Sequence, residues 1–202
     1  MAVSTMTKAL AAFAVSAGIV AFAAIQLAAP GGPAGSRIVD ETVTIGGPFK
    51  LTTHEGAALS DTDLEGTPFA VFFGFTHCPE VCPTTLWELS EALGAIGDDA
   101  DRLKVLFVSV DPERDTPEAL AAYLQSFDRR IVGLTGEAAD IEAMANAYRA
   151  YWKRVPLEDG DYTMDHTASV YLMNSEGRFS GMISYEEVSD MRVRKLRNLA
   201  RL

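Results

Sequence analysis

Phe69-Ala-Val-Phe-Phe-Gly-Phe75 runs directly into Thr76-His-Cys78-Pro-Glu-Val-Cys82-Pro83. The first stretch is apolar without alternation and rich in β-formers, the pattern of a strand buried on both faces. Beyond the cysteines, Leu86, Leu89 and Leu93 recur at helical spacing, which predicts a helix over Thr84 to Leu93. Pro79 and Pro83 fit its first turn, where backbone N–H groups lack intrahelical partners. Working outward, Leu103–Val110 reads as a second buried strand. Thr116-Pro117-Glu118 supplies an N-cap, a proline at the first helical position and an acidic first turn for a helix to about Phe127. A short strand at Ile131–Leu134 and a helix from Ala138 to Tyr151 follow. Thr167–Met173 and Phe179–Ser184 read as strands joined by the turn Asn174-Ser-Glu-Gly177, and a last helix starts near Glu187. Phe49–Thr53 adds an edge hairpin before the first buried strand. Strands alternating with helices, closed by a strand pair and a final helix, predict an α/β, thioredoxin-like domain. Its sheet is expected to be mainly parallel with a late antiparallel hairpin, and to carry helices on both faces.

The N-terminal segment has a different character. From Ala9 to Ala29 no residue is charged and Gln26 is the one strongly polar side chain. About twenty such residues span a bilayer as a helix, more than the roughly 7–15 of a cleavable signal core. Ala21-Phe22-Ala23 does resemble a signal-peptidase site, so cleavage stands as the alternative to an anchor. Pro30-Gly-Gly-Pro-Ala-Gly-Ser36 is helix-breaking and flexible, as a tether should be. The expected organisation is a cytoplasmic start over 1–8, a transmembrane anchor over 9–29, a tether over 30–45 and one globular domain over 46–202. Formal net charge is −11, and every basic residue except Lys8 lies beyond Ser36 along with all the acidic ones. An acidic head is not held to nucleic acid by long-range attraction. Arg192-Val-Arg-Lys195-Leu-Arg197 is the exception, read as charges complementing the dipole near a helix C-terminus.

The chain has 2 cysteines and 3 histidines. Cys78 and Cys82, four apart at a strand-to-helix junction, would be about 6 Å apart between Cα atoms on one ideal helical turn. That suits a disulfide, and it equally suits a metal about 2.3 Å from each sulfur. A helix N-terminus favours the thiolate, so the position predicts two activated thiols. An inert structural pair is the plainer alternative. His77 adjoins Cys78 and is either a ligand, a tuning group or a surface residue; His54 reads as a surface histidine. His166, in Met164-Asp165-His166-Thr167 just before a strand, occupies the loop where thioredoxin-like oxidoreductases hold a cis-proline against their disulfide substrate. As a satisfied loop histidine it would do nothing chemical. With the two thiolates it would complete a three-coordinate soft site, suited to Cu(I) and workable for Cu(II), whereas zinc prefers a fourth ligand.

Three motifs, Gly74-Phe-Thr-His-Cys-Pro-Glu-Val-Cys-Pro83, Val110-Asp-Pro-Glu-Arg-Asp-Thr-Pro117 and Asp165-His166-Thr167, resemble the Sco/SenC family in order and spacing. The resemblance covers about Gly46 to Ala200. It implies a membrane-anchored, thioredoxin-like copper chaperone for cytochrome c oxidase, with Cys78, Cys82 and His166 as copper ligands. Asp111 falls where the family has an acidic residue close to the site, able to orient a ligand or tune the thiols; a plain strand-to-helix turn is its other reading. The implied partners are the oxidase subunit that carries the binuclear copper centre and an upstream copper donor. The alternatives to delivery are a thiol–disulfide reductase working through Cys78 and Cys82 on that subunit's cysteines, or a redox or copper sensor. The weakly basic N-terminus does not resemble a mitochondrial presequence, which places the expected anchor in a bacterial inner membrane and the domain in the periplasm.

Overall fold

The computed structural model describes residues 44–158 and 160–202. The expected cytoplasmic start and anchor, and nearly all of the expected tether, lie outside the described residues. Among the described residues no helix is long and apolar enough to cross a membrane.

A seven-stranded sheet organises the domain. Its strands are β1 (Lys50–Thr53), β2 (Ala58–Ser60), β3 (Phe69–Gly74), β4 (Lys104–Ser109), β5 (Ile131–Thr135), β8 (Val170–Met173) and β9 (Phe179–Ile183), in the order β2-β1-β5-β4-β3-β8-β9. A two-stranded sheet of its own holds β6 (Trp152–Pro156) and β7 (Tyr162–His166). The helices are α1 (Val81–Ile96), α2 (Pro117–Leu124), α3 (Ala138–Ala147) and α4 (Ser189–Leu199).

Every residue of β3 is buried, as its unbroken apolar run requires. β3 pairs in parallel with β4, Phe69 opposite Lys104 through Gly74 opposite Ser109, and β4 pairs in parallel with β5. The remaining pairings, β1 with β2 and β5, and β8 with β3 and β9, are antiparallel. The sheet is therefore mixed rather than mainly parallel. Parallel neighbours arise where a helix carries the chain back across the sheet, and α1 and α2 do so only between β3, β4 and β5. The late hairpin is present, with its turn closed by Gly177 N–H to Asn174 O at 2.9 Å.

Side chains alternate across β3, so Phe72 and Phe73 reach opposite layers. Phe72 meets Phe107 at 5.9 Å between ring centroids, and Phe107 meets Tyr123 of α2 at 5.9 Å. On the other face Phe73 meets Tyr148, just past α3, at 5.7 Å. Helices thus cover both faces, with α1 packed on α4. Fully burying each of these aromatic or aliphatic side chains contributes about 1.5–3 kcal/mol.

Two helix ends depart from the sequence expectation. α1 runs on to Ile96, with Cys82, Leu86, Leu89, Leu93 and Ile96 on its buried stripe, and stops at Gly97 with φ +60°. α3 ends at Ala147 instead of Tyr151. Arg149 adopts φ +56°, and the N–H groups of Arg149 and Ala150 close back on the carbonyls of Asn146 and Ala145 at 3.1 and 2.9 Å. That is a Schellman closure, which usually uses glycine, so an arginine there gives no signal in sequence. The Thr116 cap is as expected: its Oγ1 accepts from Ala119 N–H at 3.2 Å.

Candidate metal centre

Beyond β3 the chain turns at Phe75, whose carbonyl accepts the Cys78 N–H at 3.3 Å, and α1 begins at Val81 after the N-cap Glu80. Cys82 therefore lies in the first turn of α1 while Cys78 precedes the helix, so the two cysteines do not share one ideal helical turn. Cys78 faces that first turn from outside, and its Sγ accepts the Cys82 N–H at 3.4 Å. Both thiols are free; Cys82 is fully buried and Cys78 half-buried.

The environment splits the pair. Hydrogen bonding from Cys82, and then from His166, brings the Cys78 pKa down to about 3 against the cost of burial. Cys82 moves the other way: burial raises it first, and the neighbouring Cys78 sulfur raises it further. The expectation of two activated thiols is thus corrected. Cys78 is drawn toward the thiolate, while burial holds Cys82 toward the neutral thiol.

His166 is the last residue of β7, not part of a loop as its sequence position implies, and it pairs with Trp152. Its Nδ1 lies 3.0 Å from the Thr167 carbonyl, an acceptor only, so that nitrogen carries a proton and Nε2 is the one turned toward the sulfurs. Nε2 lies 3.4 Å from Cys82 Sγ. Phe72 and Phe75 hold the imidazole edgewise at 6.1 and 5.8 Å. One donor atom each from Cys78, Cys82 and His166 lie within 4.8 Å of one another. A trigonal ion about 2.3 Å from each sulfur holds the sulfurs about 4 Å apart, so little rearrangement is needed. Two sulfurs and an imidazole form a soft donor set that suits copper.

The turn after β4 organises the surroundings. Asp115 is fully buried and accepts from Thr76 N–H at 3.0 Å, Thr76 Oγ1 at 2.6 Å and Ser109 Oγ at 2.6 Å. It fixes the loop leading to Cys78, a role sequence reasoning missed. Buried Asp111 meets Arg114 Nε at 2.5 Å and Tyr162 Oη at 2.8 Å. Its carboxylate thus joins its own turn to the β6–β7 hairpin and meets none of the three donor atoms.

The other candidates fall away from the centre. His77 is exposed and turns its Nδ1 to Thr76 Oγ1 at 3.1 Å and Asp115 at 4.0 Å. His54 is half-buried, not a free surface residue: its Nδ1 accepts from Gly133 N–H at 3.1 Å and joins the end of β1 to β5. The basic run of α4 is used in packing more than in dipole compensation. Arg192 bridges to Glu88 at 2.7 Å, Lys195 pairs with Glu187, and Arg197 donates to Ala95 O at 3.3 Å.

The family model described as SCO1/SenC matches residues 39–201. The chain belongs to the SCO1/SenC family. The human mitochondrial protein SCO1 homolog is 44% identical over 138 residues, covering 67% of this chain and 46% of that protein. This chain thus spans about half the length of the curated relatives it matches. Among solved structures, Bradyrhizobium japonicum ScoI with copper bound superposes with a TM-score of 0.72 at 50% identity, covering 77% of this chain and 99% of that one. Yeast Sco1 with copper bound gives 0.72 at 32% identity, covering 78% and 89%. The domain has the mixed α/β, thioredoxin-like fold of these Sco proteins.

Proposed function

We propose that this protein is a copper carrier that holds the ion between Cys78, Cys82 and His166 and delivers it to the binuclear copper centre of cytochrome c oxidase during assembly. The observation that carries the reading is the convergence of two sulfurs and an imidazole nitrogen within 4.8 Å. Copper is cargo here. The low coordination number leaves room for an incoming thiolate, so His166 and then the cysteines are displaced one at a time. Loading draws a proton chiefly from Cys82, whose neutral form burial favours, because Cys78 is already pulled toward the thiolate. The site takes Cu(I) readily and Cu(II) as well. A donor upstream and the copper-bearing oxidase subunit are the partners. The apolar segment 9–29 anchors the chain in a bacterial inner membrane, and the tether keeps the domain near its recipient on the periplasmic side, raising its effective concentration there.

The test uses the full-length reduced protein. It should bind about one copper per chain, and His166→Ala should weaken binding severely while the dithiol–disulfide couple still cycles. Equal affinity in parent and His166→Ala would sink the carrier reading.

The unequal thiols favour a second activity. Cys78 thiolate can attack a disulfide in the oxidase subunit, forming a mixed disulfide and releasing one subunit thiolate. Cys82, deprotonated in the step, then attacks the Cys78 sulfur, releases the second subunit thiol and closes the Cys78–Cys82 disulfide. Absence of turnover with an oxidase-subunit fragment in copper-free buffer removes this reading.

A further inference from the structure

The β6–β7 hairpin carries His166 yet shares no strand pairing with the seven-stranded sheet. Its register sets Trp152 opposite His166, Arg154 opposite Met164 and Pro156 opposite Tyr162. Alternation therefore puts Tyr162, Met164 and His166 on one face. Trp152 and Met164 of this face pack against the core, and the polar contacts that seat it on the domain gather at Tyr162. Its hydroxyl donates to Asp111 Oδ1 at 2.8 Å. The Arg114 and Arg154 guanidinium carbons lie 3.7 and 3.5 Å from its ring centroid, too close for both to share one face. The phenol ring is therefore clamped between two cations. Asp111 holds Arg114, which donates to the Tyr162 carbonyl at 3.0 Å, and Glu113 holds Arg154 at 2.7 Å. Arg114 also lies 5.9 Å from the Phe75 ring, which packs edgewise on His166.

Residues 111–115 thus grip both halves of the centre. Asp115 holds Thr76, on the loop to Cys78, while Asp111, Glu113 and Arg114 hold the hairpin. We propose that Tyr162 is a positioning residue: clamped on the 111–115 turn, it fixes where the His166 imidazole stands relative to the two sulfurs. It touches no donor atom itself. The inference rests on the copper reading above, because it concerns how the third donor is kept in range. If the hairpin drifts, only the seated fraction of molecules offers three donors, and apparent affinity falls by that fraction.

The experiment compares full-length parent, Tyr162→Phe, Tyr162→Ala and His166→Ala. Cu(I) affinity is measured by competition, and the nitrogen hyperfine coupling is read on the Cu(II)-loaded protein. Tyr162→Phe keeps the clamped ring and loses one hydrogen bond to a carboxylate, which predicts a weakening of roughly two- to tenfold with the nitrogen signal retained. Tyr162→Ala also loses both cation–π contacts, which predicts roughly ten- to a hundredfold with the signal broadened or lost. The dithiol–disulfide midpoint potential should move no further in either variant than it does in His166→Ala, since the sulfurs are held by Asp115 and α1 and only their imidazole contact is disturbed. Affinity within twofold of parent in Tyr162→Ala, with its nitrogen signal intact, overturns the proposal. So does a potential that moves further than it does in His166→Ala, which marks a general lesion. If His166→Ala itself binds like the parent, the copper reading fails and the proposal with it, an outcome distinct from an indifferent Tyr162→Ala beside a defective His166→Ala.

Discussion

Gly74 closes β3 against the Cys82 sulfur, and replacing it with alanine tests whether the packing there sets the geometry of the centre. A Cβ at this position would lie 2.6 Å from Phe107 Cε2 and 2.7 Å from Cys82 Sγ. Ordinary contact begins at about 3.5–4 Å, so one or both neighbours must retreat by about 1 Å. The backbone is held in place. Gly74 pairs with Ser109 in the β3–β4 ladder, and its carbonyl accepts the Val110 N–H at 2.8 Å. Phe107 is wedged between Phe72 and Tyr123, each 5.9 Å away between ring centroids. The Cys82 side chain is left to move, away from its 3.4 Å approach to His166 Nε2. Overpacking of this kind costs about 1–3 kcal/mol. For a domain of this size, 1–3 kcal/mol lowers Tm by about 2–12 °C. A metal site tolerates only about 0.2 Å in its bond lengths, so Cu(I) affinity should fall at least about tenfold. Thermal unfolding of the reduced protein and copper competition measure the two effects. Gly94→Ala is the control: an exposed position in α1 with nothing within 4 Å of its would-be Cβ, expected to gain up to about 1 kcal/mol from helix propensity. If Gly74→Ala unfolds at the parent temperature and binds copper as tightly, the packing argument is wrong.

Further outcomes follow from the unequal thiols and the buried carboxylate. Between pH 7 and 8.5, Cu(I) affinity should rise about tenfold per pH unit, because one sulfur still holds a proton; calorimetry in buffers of different ionisation enthalpy should count one proton released per copper, and a count of two refutes the assignment. Alkylation of Cys78 in the reduced apo-protein should be nearly independent of pH from about 5 to 8, because its pKa is lowered and thiolate is lost only as pH falls through the folded value of about 3. An ordinary thiol gains about tenfold in rate per unit over this range, and that behaviour at Cys78 excludes the lowered value. Asp115→Ala strands three buried or half-buried donors, costs about 3–5 kcal/mol and lowers Tm by about 6–20 °C. A Tm within 2 °C of parent refutes its role as the anchor of the thiol loop.

The main sheet was legible because its strands obey the rules that sequence reading uses. β3 and β4 are continuous apolar runs, and the Thr116-Pro117-Glu118 start of α2 states its cap in three residues. The cysteine pair announced a site for the same local reason. What stayed hidden depended on contacts remote in sequence. Asp115 holds Thr76 across 39 positions, and nothing in its neighbourhood distinguishes it from a turn residue. The β6 stretch Trp-Lys-Arg-Val-Pro lacks a clear alternation because Trp152 packs on the core at one end while Arg154 is engaged by Glu113 and Tyr162, so its burial follows no strand period. Both cysteines read as activated because a helix N-terminus acts on both, whereas the burial that raises the Cys82 thiol is a property of the folded chain. Asp111 was noticed through family resemblance, but its partner Tyr162 was not, since a tyrosine in a polar hairpin carries no signal of its own.

The independence of the β6–β7 ladder has a consequence for amide exchange. Its strands bond to each other and not to the central sheet, so their amides can exchange through an opening that leaves β3, β4 and β5 closed. The imidazole then leaves at the free energy of a small local unit, while the sulfurs stay with the most protected part of the molecule. Bound copper would tie the two together. Slowed exchange in residues 152–166, with the central strands unchanged, would mark the loaded state in a way that neither colour nor redox titration can.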